Sequence, residues 1–315
     1  MNPASTGTRD NERQRQHALD RYHAVDTLPV TAYDDLVGLA AMICGTPIAV
    51  VSLIDRDRQW FKARIGLDDH ETTRDTAVCD HAIRQPDELL EISDLSEDQR
   101  FAGFPIVTGD VKARFYAGMP LVAGTGEALG TVCVVDTHPR RLSNQQKASL
   151  RALARITVAL LDAHRMHHES QAVVALQDGS EEASVARGEP WCVAIVEAQG
   201  MSEAARRLGE RTLERTLQEL ASLFDACVRH DLGDHVSRVT DSAEFVVLLK
   251  GGSTETRIEA LRKAAQAARQ RHGMELLVGT ASASSADEAL LHVYLRAEED
   301  LSLQKDALAY RRDAA

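Results

Sequence analysis

Cysteine, aspartate and histidine stand side by side at Cys79-Asp80-His81. An imidazole next to a thiol lowers the thiol's pKa and yields a nucleophilic thiolate, and the same two side chains are metal ligands. The competing reading is that Cys79 packs and His81 hydrogen-bonds locally. That reading is preferred, because structural metal sites take four ligands and only two stand close here. His164, His167 and His168 have i, i+3, i+4 spacing, which puts three imidazoles on one helical face, suited either to a transition metal or to a solvated surface. The solvated face is the expectation. The five cysteines, Cys44, Cys79, Cys133, Cys192 and Cys227, are scattered with no CxxC pair, which argues against a disulfide framework and a zinc ribbon and for buried free thiols.

The elements that must position these groups can be read from periodicity. Residues 31–44 place Tyr33, Leu36, Leu39, Ala40 and Ile43 at helical spacing behind Thr31, a candidate N-cap. Five apolar or alternating runs follow, at 47–54, 58–65, 89–93, 115–122 and 128–135, and predict an antiparallel sheet. Ser143 and Gln146 form a capping-box pattern at the start of a second helix carrying Leu150, Leu153, Ile156, Leu160 and Leu161. Asp178-Gly179-Ser180 and Gly188-Glu189-Pro190 then break the pattern. It restarts with a strand at 191–196, a helix through Leu213, Leu217, Leu220 and Phe224, paired strands HVSRVT and FVVLL, a helix at 257–270, a strand at 276–280 and a last helix from about 286. The expected fold class is α+β (α/β), with an N-terminal antiparallel sheet, a linker helix and a C-terminal sheet surrounded by helices. The expected boundaries are a flexible tail over 1–17, a first domain over 18–165, a linker over 166–188 and a second domain over 189–312.

The 315 residues, 44% hydrophobic and 27% charged, fit two domains that each bury a core. A net charge of −12 repels a phosphate backbone, so nucleic acid is excluded as a partner. No stretch approaches the ~20 apolar residues of a membrane span, and MNPASTGTRDNERQRQ lacks the apolar core of a secretory signal. A cytoplasmic location away from membranes is expected.

The blocks ALDRYHAVDTLPVTAYDDLVGLAA, PIAVVSLIDRDRQWFKARIGL, CDHAI, RFYAGMPL and LGTVCVVDTHPRRLS cover nearly all of residues 18–162, and this stretch resembles the GAF family. The resemblance implies a sensory domain whose sheet carries helices on one face and a ligand pocket on the other. Trp60, Phe61, Cys79, His81, Phe115, Tyr116 and Asp136 are the residues it points to, an aromatic wall with a few polar groups. The ligand and any cofactor are not specified by it.

From about 189 to 312 the chain resembles a GGDEF domain, the catalytic domain of diguanylate cyclases, with its signature reduced to Asp241-Ser242-Ala243-Glu244-Phe245. Enzymes of that family join two GTP molecules using two divalent metals, which need hard oxygen ligands. By the resemblance Glu197 and Glu244 are the surviving metal-ligand positions, whereas Ala243 offers no oxygen. The nucleotide positions fall on Ala205 and Glu214, Met201-Ser202 replaces a Phe-Lys pair, and Lys305 matches a late lysine. No RxxD precedes the signature at the spacing a product-feedback site requires. Glu197, Glu214 and Glu244 therefore read either as a residual nucleotide and metal set or as solvated or hydrogen-bonded carboxylates.

The expected function is signal transduction by a GAF module coupled to a catalytically inactive, degenerate GGDEF-like domain that acts in ligand binding, dimerisation or partner regulation. Expected partners are a small-molecule ligand of the first domain, a second copy of the chain and a protein partner. The alternative is an active diguanylate cyclase that makes cyclic di-GMP from two GTP and requires Mg2+.

Overall fold

A strand whose residues are apolar without alternation must be covered on both faces. Ile48–Ile54 and Ala128–Asp136 are such strands, and every residue of both is buried in the computed structural model, which describes residues 3–178, 191–240 and 242–313. The chain divides into two units, Met1–Val25 with Pro29–His164, and Asp26–Leu28 with Arg165–Ala315. The architecture is α+β in both.

The first unit runs α1 (Pro3–Asp20), α2 (Thr31–Cys44), β1 (Ile48–Ile54), β2 (Arg58–Ile65), β3 (Glu71–Thr73), α3 (Val78–Ala82), β4 (Leu90–Ile92), α4 (Pro105–Thr108), β5 (Phe115–Val122), β6 (Ala128–Asp136) and the first part of α5 (Asn144–Asp178). Its strands form one antiparallel sheet in the order β3-β2-β1-β6-β5-β4. On one face Leu19 and Tyr22, Leu36, Val37 and Ala40, and Leu150, Leu153 and Leu161 bring α1, α2 and α5 down on Val51, Trp60, Phe115 and Val134. On the other, Val78, Cys79 and Ile83 around α3 and Val107 of α4 pack on Val50, Phe61, Tyr116 and Cys133.

The second unit takes the remainder of α5 and continues with β7 (Trp191–Ala198), α6 (Met201–Leu208), α7 (Glu210–Asp225), β8 (His235–Arg238), β9 (Glu244–Lys250), α8 (Thr254–His272), β10 (Leu276–Ser282) and α9 (Leu290–Asp313). Its antiparallel sheet has the order β10-β7-β9-β8. Leu217, Leu220 and Phe224 of α7 and Leu261 and Ala265 of α8 cover the side of Val196 and Phe245, while Ala172 and Leu176 of α5 and Tyr294, Ala297 and Leu301 of α9 cover that of Ile195 and Val246. Gly279 makes the α9 contact possible: a Cβ there would stand 2.4 Å from the Ala297 carbonyl oxygen and 2.7 Å from the Leu301 Cβ.

Three sequence expectations are corrected. In place of a flexible tail, residues from Pro3 onward are helical, with Arg15 and Gln16 buried, and Glu12 meets the Arg74 guanidinium at 2.7 Å. The helix at Thr31 begins without a side-chain cap. The expected linker is helical as far as Asp178 and buries His168, Ala172 and Leu176; residues 179–188 lie outside the described residues. The capping box is present: the Ser143 amide donates to Gln146 Oε1 at 2.9 Å and the Gln146 amide to Ser143 Oγ at 3.2 Å. Among the described residues no helix is long and apolar enough to cross a membrane.

Candidate functional site

Successive strand residues point to opposite faces, so neighbours in sequence cannot line one pocket. This separates the seven residues expected at the GAF pocket. Phe61, Cys79 and Tyr116 lie on the α3 side, where the His81 ring meets Phe101 edge-on at 4.8 Å between centroids. Trp60 and Phe115 lie in the helix-covered core on the opposite side. Asp136 is the cross-strand partner of Phe115, and its carboxylate ends on Arg140 at 2.6 Å. The expectation that Trp60, Phe115 and Asp136 line the pocket is thereby corrected.

The α3 side holds a polar centre inside an apolar layer. Tyr116 Oη and Gln59 Nε2 each donate to Cys79 Sγ at 3.2 Å, and Cys133 Sγ stands 3.7 Å from it. Ser52 and Thr131, paired through their hydroxyls at 3.2 Å, complete the cluster, and all six residues are buried. Alternation explains their company: Gln59 is two residues from Phe61, Thr131 two from Cys133, and Ser52 two from Val50. Gly118, two residues after Tyr116, leaves the space the phenol fills, since a Cβ there would fall 2.2 Å from Tyr116 Oη. Burial raises both thiols, but hydrogen bonds from Cys133, Ser52, Thr131 and Tyr116 converge on the Cys79 sulfur and hold its pKa below the ordinary thiol range. Cys133 is driven up by its hydrogen bond to Cys79 and by burial, and Tyr116 mainly by burial.

The short helix carrying Cys79 is fixed from outside by Asp80, which takes Arg74 at 2.7 Å and Arg84 at 2.6 Å. His81 is half-buried, and burial together with the Arg84 charge lowers its pKa, so the neutral imidazole is favoured. Phe101 and Phe104 stand 5.4 Å apart beside it. Sequence reasoning missed Ser52, Gln59, Thr131 and Cys133; the two-residue alternation from Phe61 was the available signal for Gln59.

In the second unit, Glu197 and Glu244 are direct cross-strand partners on β7 and β9. Glu197 takes Lys305 at 2.9 Å, and Glu244, 2% exposed, accepts the Tyr294 hydroxyl at 2.9 Å with His168 Nε2 at 3.7 Å. The Tyr294 phenol is pushed up by burial and by the Glu244 and Glu298 charges. Glu214 is exposed on α7 and pairs with Arg238 at 3.0 Å, so it does not join the Glu197–Lys305 pair. Ala243 is buried among the α7 and α8 side chains, Ser242 caps the Glu244 amide at 3.0 Å, and Phe245 packs on Phe224; Asp241 lies outside the described residues. The expectation of a solvated histidine face fails for His168, which is buried, and holds for exposed His167, while His164 meets the His23 carbonyl at 3.2 Å.

Residues 28–161 match the family model of the GAF domain, and this segment is a GAF domain. Over 151 residues, 48% of the chain, the sequence is 36% identical to the cyclic di-GMP phosphodiesterase PA2567 of Pseudomonas aeruginosa, and the match spans 26% of that relative. The chain is also similar to the GAF domain of an Acinetobacter phosphoenolpyruvate-protein phosphotransferase, at 17% identity and a TM-score of 0.35, covering 44% of this chain and 82% of that one. The GGDEF domain of DgcB from Caulobacter crescentus, solved with c-di-GMP, is similar at 15% identity and a TM-score of 0.34, covering 46% of this chain and 84% of that one.

Proposed function

We propose that this chain is a signal-transduction protein of cyclic di-GMP signalling, in which the GAF domain senses a small molecule and the second unit is a GGDEF-like domain without cyclase activity. The observation that carries this reading is the state of the acids on β7 and β9. Metal-assisted condensation of GTP needs carboxylate oxygens converging on divalent ions. Here Ala243 supplies none, Glu197 is neutralised by Lys305, and Glu244 is turned into the interior against Tyr294 and His168. These residues do not fit a two-metal site, and no catalytic step is derived through one. The relative that acts on cyclic di-GMP supports the signalling context.

Ligand recognition belongs to the α3 side of the GAF sheet, where the half-buried His81 imidazole stands beside Phe101 and Phe104, and where Cys79, Tyr116 and Gln59 supply polar groups. Apolar walls with a few oriented polar groups are the chemistry of a small-molecule site. A metabolite and nucleotide screen by thermal shift on the full chain tests this, because a ligand raises stability only by preferring the folded state. Stabilisation that survives Glu197→Gln and is lost in His81→Ala is expected; stabilisation by GTP or cyclic di-GMP that is lost in Glu197→Gln would reverse the assignment.

The output is assigned to dimerisation or contact with a protein partner. The α5 stripe is largely consumed by its own domain, since Leu150 and Leu153 are buried, but Ile156 of α5 and Leu39 and Met42 of α2 remain exposed for a second copy. Light scattering is expected to give twice 34.5 kDa.

A further inference from the structure

The sulfurs of Cys79 and Cys133 face each other at 3.7 Å across the α3 side of the GAF sheet, although 54 residues separate them in sequence. Two sulfurs in contact must approach to about 2.05 Å to bond. Rotation about the two Cys side chains, or a shift of α3, the five-residue helix that carries Cys79, must close this gap. The other three cysteines are differently placed. Cys192 and Cys227 direct their sulfurs to the backbone carbonyls of Val193 and Leu223, and Cys44 lies in the helix-covered core. Among the described residues, Cys79 and Cys133 are the pair poised for a bond.

We infer that Cys79 and Cys133 form a redox-active dithiol that a hydroperoxide converts to an intramolecular disulfide. Donors already surround the Cys79 sulfur, from Tyr116 and Gln59 at 3.2 Å, so negative charge developing on it is stabilised without a cation. Cys79 is therefore the attacking member and Cys133 the resolving one. The Cys79 thiolate attacks the distal oxygen of the hydroperoxide, the O–O bond breaks, and the alkoxide leaves with the thiol proton as an alcohol. Cys79 is now a sulfenic acid. The Cys133 sulfur attacks it, the S–O bond breaks, and the hydroxyl leaves as water with the Cys133 proton. Two thiols and one hydroperoxide give one disulfide, one alcohol and one water, with two electrons passed from sulfur to the peroxide oxygens.

The bond would tie α3 to the centre of β6 and remove the thiol to which Tyr116 and Gln59 donate, changing the polar centre on the face where α3 carries His81. The inference stands whether or not that face binds a small molecule.

The test uses the full-length reduced protein and tert-butyl hydroperoxide, followed by denaturation, labelling with N-ethylmaleimide and mass spectrometry. Reduced protein is expected to take a label on each of its five cysteines, and oxidised protein two fewer. Peptide mapping is expected to give a Cys79–Cys133 cross-link that dithiothreitol reverses. Cys133→Ser is expected to lose the cross-link and to carry a dimedone-reactive sulfenic acid at Cys79 instead. Retention of all five labels after oxidation, or a cross-link joining other cysteines, overturns the inference. The mapping on the unmodified protein decides the matter even where the variant fails to fold.

Discussion

Replacing Gly118 by alanine probes the centre of the GAF sheet. The added methyl would stand 2.2 Å from Tyr116 Oη, 2.7 Å from Cζ and 3.0 Å from Cε1. Non-bonded contacts settle near ~3.5–4 Å, so the ring must retreat by more than ~1 Å. The Tyr116 hydroxyl then leaves Cys79, and two buried polar groups lose a mutual hydrogen bond at a cost of about 1–3 kcal/mol. Forcing a ring into a filled layer costs about 1–3 kcal/mol more. The sum, about 2–6 kcal/mol, corresponds to a fall in Tm of roughly 5–20 °C for a unit of this size. Calorimetry or urea unfolding measures it, with Tyr116→Leu and the double variant Tyr116→Leu/Gly118→Ala completing a cycle. The methyl has no phenol to displace once Tyr116 is gone, so the double variant should be less destabilised than the sum of the singles by at least about 1 kcal/mol. Gly118→Ala unfolding within about 0.5 kcal/mol of the parent, or an additive cycle, would show that the methyl does not displace the phenol.

Other parts of the molecule give further expectations. The side chain of Asp234 is fully buried and holds the Arg257 guanidinium as well as the Lys250 and Arg229 amides; Arg257→Ala strands that carboxylate and should cost about 3–5 kcal/mol in urea unfolding. Lys62 is buried against Tyr33 and Trp60, and burial, partly opposed by Asp34, holds its pKa at about 8. Both states are charged below that pH and the penalty is complete; between about 8 and 10.5 the unfolded chain binds the extra proton, so stability rises with pH. Lys62→Met should therefore be the more stable protein at pH 7, by up to about 3 kcal/mol, with the gap closing toward pH 10.5 and a constant gap counting against the assignment. Glu12 is raised by burial but held at about 2 by Arg15 and Arg74, so its contribution to docking α1 is present above pH 4.5 and lost toward pH 2. Acid titrations of wild type and Glu12→Gln followed by circular dichroism should differ above pH 4.5 and converge near pH 2.

Much of the fold was legible because it is written locally. The apolar run at 58–65 became β2 with the same bounds, and the Ser143–Gln146 box forms as its residue types require. Helix α1 was not legible, because its buried groups include Arg15 and Gln16, and part of what holds them is distant: Gln16 Nε2 donates to Asp55 at 2.9 Å. A polar stretch signals disorder only when its charges have nowhere to pair. At the candidate site, the resemblance supplied Phe61, Cys79 and Tyr116 but ignored alternation, which sends Trp60 and Phe115 to the other face. Cys133 gave no local sign, since its contact with Cys79 exists only once β6 lies beneath α3. The resemblance gave Glu197 and Lys305 as separate nucleotide and metal positions, and their pairing with each other had no local sign, since 108 residues separate Glu197 on β7 from Lys305 on α9.

On the proposed function, the second unit carries out no cyclase chemistry. The decisive measurement is incubation of the 315-residue protein with GTP and Mg2+ or Mn2+, followed by chromatography of the nucleotides. With Ala243 in place of an acid, Glu197 held by Lys305 and Glu244 held by Tyr294, no cyclic di-GMP should form with either metal. Its accumulation, abolished by Glu197→Gln, would contradict the account and make the chain a diguanylate cyclase.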